Sequence, residues 1–109
     1  MEKIDREIVD WIVAHSDDAA LCEQLQQMLV IRRDYMRTGF FIYFEVPATA
    51  PLLNTKVRPV CPDIAGPELM QGAGSSLFFK NGRVHYLELY ARGGFFPENP
   101  VEYRLVPPT

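Results

Sequence analysis

The chain has 109 residues, of which 48% are hydrophobic and 23% are charged, and its formal net charge is −3. This length supports one domain with one core, and the apolar fraction is too high for an intrinsically disordered chain. The negative charge argues against nucleic-acid binding. The acidic start lacks the apolar region of a signal peptide, and no apolar run approaches the ~20 residues of a membrane helix. We therefore expect a cytoplasmic protein without membrane contact.

Helix-breaking residues divide the chain into two parts. All nine prolines lie at or after Pro47, and all seven glycines lie at or after Gly39. This distribution predicts a single domain, 1–109, with a helical segment 1–37 followed by a β-rich segment 38–109. The excess of acidic side chains falls in the helical segment, so the net charge belongs to that part of the chain.

The helical segment is predicted to form two helices. Apolar side chains with helical spacing indicate the first helix, which carries Ile4, Ile8, Trp11, Ile12 and His15. Ser16 is a suitable N-cap for a second helix, which we expect to end near Arg37. The stripe of that second helix consists of Leu21, Leu25, Met28, Leu29 and Arg32.

The β-rich segment begins with alternating side chains. Residues 38–46 alternate with a period of two and carry aromatic residues in both sets, which predicts a central strand that is covered, at least in part, on both sides and ends at Pro47. Residues 47–74 contain five prolines and are predicted to form a loop, with a short edge strand at 56–60 and one helical turn at 67–70.

A hairpin is the clearest local prediction. Asn81-Gly82 favours a two-residue type I′ turn between two strands. That turn predicts one strand face with Leu77, Phe79, Val84, Tyr86, Glu88 and Tyr90. A last strand is predicted over Val101–Val106. The element order predicts an α+β fold in which two N-terminal helices pack on a mainly antiparallel sheet of four or five strands.

Residues suited to catalysis or metal binding are few. Cys22, Cys61, His15 and His85 show none of the CxxC, HxxxH or HExxH spacings of metal sites. The chain also lacks a GxSxG nucleophile motif and the lysine of a P-loop. We therefore expect no cofactor and no metal, and we favour a non-enzymatic protein.

Aromatic side chains suggest a surface for a protein partner. Phe95 and Phe96 lie between glycines and a proline, and Tyr90 and Glu88 lie on the second hairpin strand, so we predict these four as partner-binding residues. An alternative is a small-molecule site between the sheet and the 47–74 loop, formed by Glu45, His85 and Cys61. A homodimer through the last strand is a further possibility.

Three stretches together resemble a known group of proteins. They are residues 37–44, residues 72–83, and Leu87-Glu88-Leu89-Tyr90 followed by Gly93-Gly94 and Pro97. They resemble a loose set of small uncharacterised bacterial α+β domains, some of which are similar to immunity proteins of polymorphic toxin systems. The resemblance implies the α+β fold more than it implies a function, and it supplies no catalytic residue. Through those members, it points to a non-enzymatic protein-binding module, with a toxin-neutralising immunity protein as one form of it. Where such domains often have Trp-Pro, this chain has Phe96-Pro97.

Overall fold

A computed structural model of the chain describes all 109 residues. Two helices come first, α1 (Lys3–Ala14) and α2 (Ala19–Gln27). Six strands follow: β1 (Leu29–Tyr35), β2 (Gly39–Glu45), β3 (Asp63–Gly66), β4 (Leu69–Lys80), β5 (Arg83–Ala91) and β6 (Arg104–Val106). The predicted α+β class with N-terminal helices is confirmed, and the sheet has six strands instead of the four or five expected.

The six strands form one antiparallel sheet in the order β1-β2-β5-β4-β3-β6. β2 is an inner strand, between β1 and β5, as predicted for residues 38–46, but the expected cover on both of its faces is found only on the side of the helices. β1 and β6 are the two edges of the sheet. No helix is both long enough and apolar enough to cross a membrane.

The helices match the predicted stripes in part. Ile4, Ile8 and Ile12 of α1 are buried, as the helical spacing indicated. The N-cap of α2 is Asp18, whose side chain accepts a hydrogen bond of 2.8 Å from the Leu21 amide. The expectation for Ser16 is wrong, since its hydroxyl accepts a 3.2 Å hydrogen bond from the Asp18 amide before the helix starts.

The second helix ends ten residues earlier than predicted, at Gln27 instead of near Arg37. The backbone is already extended at Met28, and β1 pairs with β2 from Leu29 onward. Residues 29–32 carry a helix-like stripe, but Val30 and Ile31 are β-branched and favour a strand. Pairing with β2 decides between the two conformations.

The proline-rich stretch also differs from the expectation. Residues 56–60 form no strand, so the predicted edge strand there is wrong, and the strand of this stretch is β3, at 63–66, which lies between β4 and β6. Residues 67 and 68 form a turn into β4, which starts at Leu69, so the helical turn predicted at 67–70 is wrong. The end of the predicted loop, residues 72–74, also belongs to β4. β6 covers only the last three residues of the predicted strand 101–106.

The hairpin has the predicted turn but a different register beyond it. Lys80 faces Arg83 and Phe79 faces Val84, and Asn81 and Gly82 both have positive φ. A bulge then follows, so that His85 has no partner and Phe78 faces Tyr86. The predicted grouping of Val84 with Tyr86, Glu88 and Tyr90 is therefore wrong, because an inserted residue exchanges the two faces of a strand.

Two of the four buried polar side chains, Gln24 and Asp5, connect the helices to the sheet. Gln24 donates to the carbonyls of Pro51 and Gly82 and accepts from the Val84 amide, at 2.7, 3.0 and 2.9 Å. Asp5 accepts two hydrogen bonds from Arg33, at 2.8 and 3.2 Å. Burial raises the pKa of the Asp5 carboxyl even though Arg33 opposes the shift. These contacts fix the helices onto the hairpin and onto β1.

Candidate interaction surface

The helices cover one face of the sheet and leave the other open. The covered face carries Phe40, Ile42, Leu87 and Leu89, which share one hydrophobic core with α1 and α2. Because side chains alternate along a strand, their sequence neighbours point to the opposite side. We call this opposite surface the open face, and it carries Phe41, Tyr43, Phe78, Tyr86, Glu88 and Tyr90.

Tyr86 lies at the centre of an aromatic cluster on the open face. Its ring stacks on Phe78 with a centroid distance of 4.5 Å and an interplanar angle of 15°. The rings of Tyr43 and Phe41 lie 5.5 Å and 5.8 Å from it. These separations are within the range of favourable aromatic pairs. The cluster is therefore ordered by its own contacts, while Phe78 is still 37% exposed.

A glycine makes room for the last ring of this surface. A Cβ at Gly74 would lie 2.5 Å from the ring of Tyr90, a separation that real Cβ atoms do not show. Tyr90 therefore lies across Gly74 on β4, beside its own strand. This close approach explains why a glycine occupies the middle of a strand.

Charged side chains border the aromatic cluster at two ends. Arg32 lies 5.8 Å from the centre of the Tyr43 ring and forms a 2.8 Å ion pair with Asp34. The hydrogen bond that Arg32 donates to this carboxylate raises the pKa of the Arg32 guanidinium. Arg92 is placed similarly, 5.9 Å from the ring of Tyr90. A partner on the open face would thus meet aromatic rings flanked by cations.

Glu88 is the acidic group within the open face. It is half-buried and lies opposite Phe41 on one neighbouring strand and Ser76 on the other. The structure has three ion pairs, and Glu88 takes part in none of them. Its carboxylate is therefore accessible to a donor from outside the chain.

The four predicted partner-binding residues divide between surface and core. Phe95 is 68% exposed, and Tyr90 and Glu88 lie on the open face. Phe96 is fully buried, with its ring edge-on to Phe40 at 5.5 Å. Its position must be corrected to the core, because its amide also donates to the Arg37 carbonyl and its carbonyl accepts from Tyr35.

The alternative pocket residues do not come together. Cys61 lies in a groove of about 570 Å³ between residues 57–61 and the second half of β4. Glu45 borders a different depression, next to Leu29 and Arg83. His85 packs edge-on against Tyr43 at 5.9 Å on the open side of the sheet. The three residues therefore line no common cavity, since Cys61 lies in a loop beside one groove, Glu45 borders another depression, and His85 lines neither.

The Cys61 groove offers little to chemistry. Burial raises the pKa of the Cys61 thiol, which lowers its nucleophilicity at neutral pH. Its other lining side chains are mostly apolar, with Arg58, Ser75 and Ser76 as the exceptions. No group of three or more His, Cys, Asp or Glu side chains in the structure is placed to hold a metal ion.

Sequence reasoning missed most of the aromatic cluster. Phe41, Tyr43 and Phe78 were not among the predicted partner-binding residues, and Tyr86 was not either. The available signal was the adjacent pairs Phe40-Phe41 and Phe78-Phe79, since neighbouring residues in a strand point to opposite faces. Only the bulge at His85 brings Phe78 and Tyr86 into direct contact.

Comparison with protein-family models, with curated proteins and with solved structures finds no match to this chain. The interpretation of the open face therefore depends on its own geometry and chemistry.

Proposed function

We propose that this protein is a non-enzymatic binding module whose protein partner docks on the open face. The observation that carries the proposal is the ordered, partly exposed aromatic cluster around Tyr86 on the side of the sheet away from the helices. Tyrosine and phenylalanine are enriched at protein interfaces because they bury a large area with little loss of side-chain freedom.

The chemistry of the surface supports a protein partner. Tyrosine hydroxyls, Glu88 and the two flanking arginines supply polar contacts around apolar rings, which is the arrangement of a typical interface core and rim. The rings already pack on each other, so binding would cost little additional ordering.

A toxin-neutralising role is the narrower form of this proposal. Residues 1–27 hold seven acidic and two basic side chains, and acidic surfaces accelerate association with basic partners. These residues form the helical layer, on the opposite side of the sheet from the open face. We expect a basic toxin to be steered by the helical layer only if its binding site extends around the edge of the sheet.

The small-molecule alternative has less support. It would use the Cys61 groove, whose volume of about 570 Å³ is adequate for a ligand. Glu45, His85 and Glu88 are not among the residues that line this groove. A ligand there would meet apolar walls and few groups able to orient it.

Partner capture tests the proposal. The protein is immobilised, exposed to a lysate of its host, and the retained proteins are identified by mass spectrometry. We expect a stoichiometric partner that is retained by the wild type and lost from the double variant Phe78→Ser with Tyr86→Ser. Circular dichroism of the variant verifies that it is folded.

Two further variants make the test specific. Val101 is 77% exposed and lies outside the strands of the sheet, so Val101→Ser is the matched control that should retain the partner. Phe95→Ser shows whether the 93–97 loop belongs to the interface. Retention of the partner by a folded Phe78→Ser, Tyr86→Ser variant would refute the proposal.

A further inference from the structure

The edge strand β1 has unpaired backbone groups along its outer side. The Met36 amide donates to the Gly39 carbonyl at 2.8 Å, so Met36 faces β2. Hydrogen bonding alternates along an antiparallel strand, so Asp34 and Arg32 also face β2. Arg33 and Tyr35 therefore direct their amides and carbonyls away from the sheet. An edge of this kind can accept another strand.

Exposed apolar side chains are concentrated on this strand and on the residue that follows it. Of the ten large hydrophobic side chains that the structure exposes, three lie within residues 29–36: Leu29, Ile31 and Met36. Each of the three is more than half exposed. The opposite edge of the sheet is less suited to pairing with another strand, because β6 has only three residues and is followed by Pro107 and Pro108, which have no amide hydrogen.

We propose that a second copy of this chain pairs with β1 in antiparallel orientation, with a two-fold axis at Arg33. Arg33 would then face Arg33 of the second copy in a hydrogen-bonded pair. Arg32 would face Asp34 of the second copy, and Asp34 would face its Arg32. These non-hydrogen-bonded pairs bring side chains closest together, and both residues project on the same side of the sheet.

The charge pattern selects this register among the possible ones. In the nearest alternative registers that still pair the outward amides and carbonyls of the two copies, the two-fold axis lies one residue away from Arg33, at residue 32 or at residue 34. The first of these registers places Arg32 opposite Arg32, and the other places Asp34 opposite Asp34. Both put like charges face to face, which is unfavourable. Only the register centred on Arg33 forms two Arg32–Asp34 pairs between the copies.

The positive charges of the two Arg33 side chains at the two-fold axis do not oppose this arrangement. Its guanidinium is turned to the covered side of the sheet, where it binds Asp5 and lies 4.0 Å from the ring centre of Phe40. The charge of each Arg33 is thus neutralised within its own subunit. The bulge between Val30 and Arg32 limits the straight part of the edge to a few residues. We therefore expect a dimer of modest affinity, with a Kd in the micromolar range.

Charge reversal tests the interface. The oligomeric state of the full chain is measured by sedimentation velocity from low to high micromolar concentration. We expect the wild type to dimerise, and Arg32→Glu and Asp34→Lys each to weaken the dimer at least about tenfold, because each reversal puts like charges opposite each other. A wild type that remains monomeric throughout this range would overturn the proposal.

A mixture of the two variants shows whether the weakening comes from contacts between copies or from loss of the Arg32–Asp34 ion pair within one chain. In a mixed dimer, the introduced glutamate of one copy faces the introduced lysine of the other, and the two unchanged side chains, Arg32 and Asp34, also face each other. An equimolar mixture should therefore dimerise to within about threefold of the wild type, because both pairs again join opposite charges. A mixture that stays monomeric would exclude the proposed register.

Two substitutions on the exposed side of α1 are the matched controls. Arg6→Glu and Asp10→Lys change the net charge by the same amounts as the two β1 variants, at positions away from the sheet edge. These controls should dimerise like the wild type. Equal weakening by the controls would show that net charge, and not the Arg32–Asp34 register, governs association.

Discussion

The two faces of the sheet differ although the same strands form both. The covered face holds Ile42, Leu87 and Leu89, all nearly inaccessible to solvent, and it shares one core with the helices. The open face holds Tyr43, Tyr86 and other rings that contact mainly one another. The covered face contributes stability through burial, whereas the rings of the open face are ordered but remain accessible for contact with a partner. Substitutions on the two faces should therefore have different consequences.

The largest expected difference concerns two adjacent phenylalanines. Phe96→Ala should lower the free energy of unfolding by about 3–5 kcal/mol, because it leaves a cavity in the core. Phe95→Ala should change it by less than about 0.5 kcal/mol, because the Phe95 side chain is exposed. Urea denaturation of both variants measures the difference. Equal losses would show that Phe95 also belongs to the core.

Removal of the buried amide of Gln24 should have the next largest effect. Gln24→Leu keeps the approximate volume but removes the hydrogen bonds that Gln24 forms with the Pro51 carbonyl and the Val84 amide, and it leaves the Gly82 carbonyl with the Leu53 amide as its remaining partner. We expect a loss of about 2–4 kcal/mol in the free energy of unfolding, since unsatisfied buried groups are costly. Gln27→Leu, at an exposed position of the same helix, is the control. A stable Gln24→Leu variant would contradict the role of this side chain.

Tyr86 and Leu87 are adjacent in β5 but lie on opposite faces of the sheet, so substitutions at these two positions compare the faces directly. Leu87→Ala should cost about 2–5 kcal/mol of unfolding free energy, as is typical of buried leucines. Tyr86→Ala should cost only about 1–2 kcal/mol, because half-buried ring contacts contribute less. Thermal and urea denaturation give both values. If Tyr86→Ala is the more damaging, the open face is part of the stabilising core.

The smallest expected effect is a pH dependence of the free energy of unfolding, caused by the buried Asp5 carboxyl on the covered side of the sheet. Burial raises the pKa of Asp5 above its ordinary value near 3.8, so the folded protein takes up this proton more readily than the unfolded chain. The resulting stability is fully present below about pH 3.8 and is lost as the pH rises through the folded pKa. Relative to Asp5→Asn, the wild type should therefore gain stability as the pH falls from 7 to 4. An opposite slope would mean that Arg33 outweighs burial.

Local patterns predicted much of this fold. The stripe of α1, the strand at 39–45 and the Asn81-Gly82 turn are determined by spacing and turn chemistry within a few residues. The sequence predicts a helix over residues 29–35 because the apolar residues there fit the helical period of 3.6 as well as the strand period of two. Pairing with β2 decides between the two, and a pattern confined to these residues does not contain that contact.

The candidate site was less predictable than the fold. Phe95 and Phe96 look equivalent in sequence, yet only the second fits against Phe40, and that contact joins distant parts of the chain. The faces of β5 depended on whether a residue is inserted at His85, which reverses the side of every residue after it. Sequence signals alone do not reveal such a bulge.

The sequence by itself determined the helical start, the β-rich remainder and the turn of the hairpin, because each depends on the conformational preferences of neighbouring residues. The tertiary structure decided that β1 is a strand, that Phe96 is buried, and that Tyr86 faces away from the helices. These outcomes depend on strand pairing and on which face the helices cover. Both are contacts between residues far apart in the chain, and no local preference specifies them.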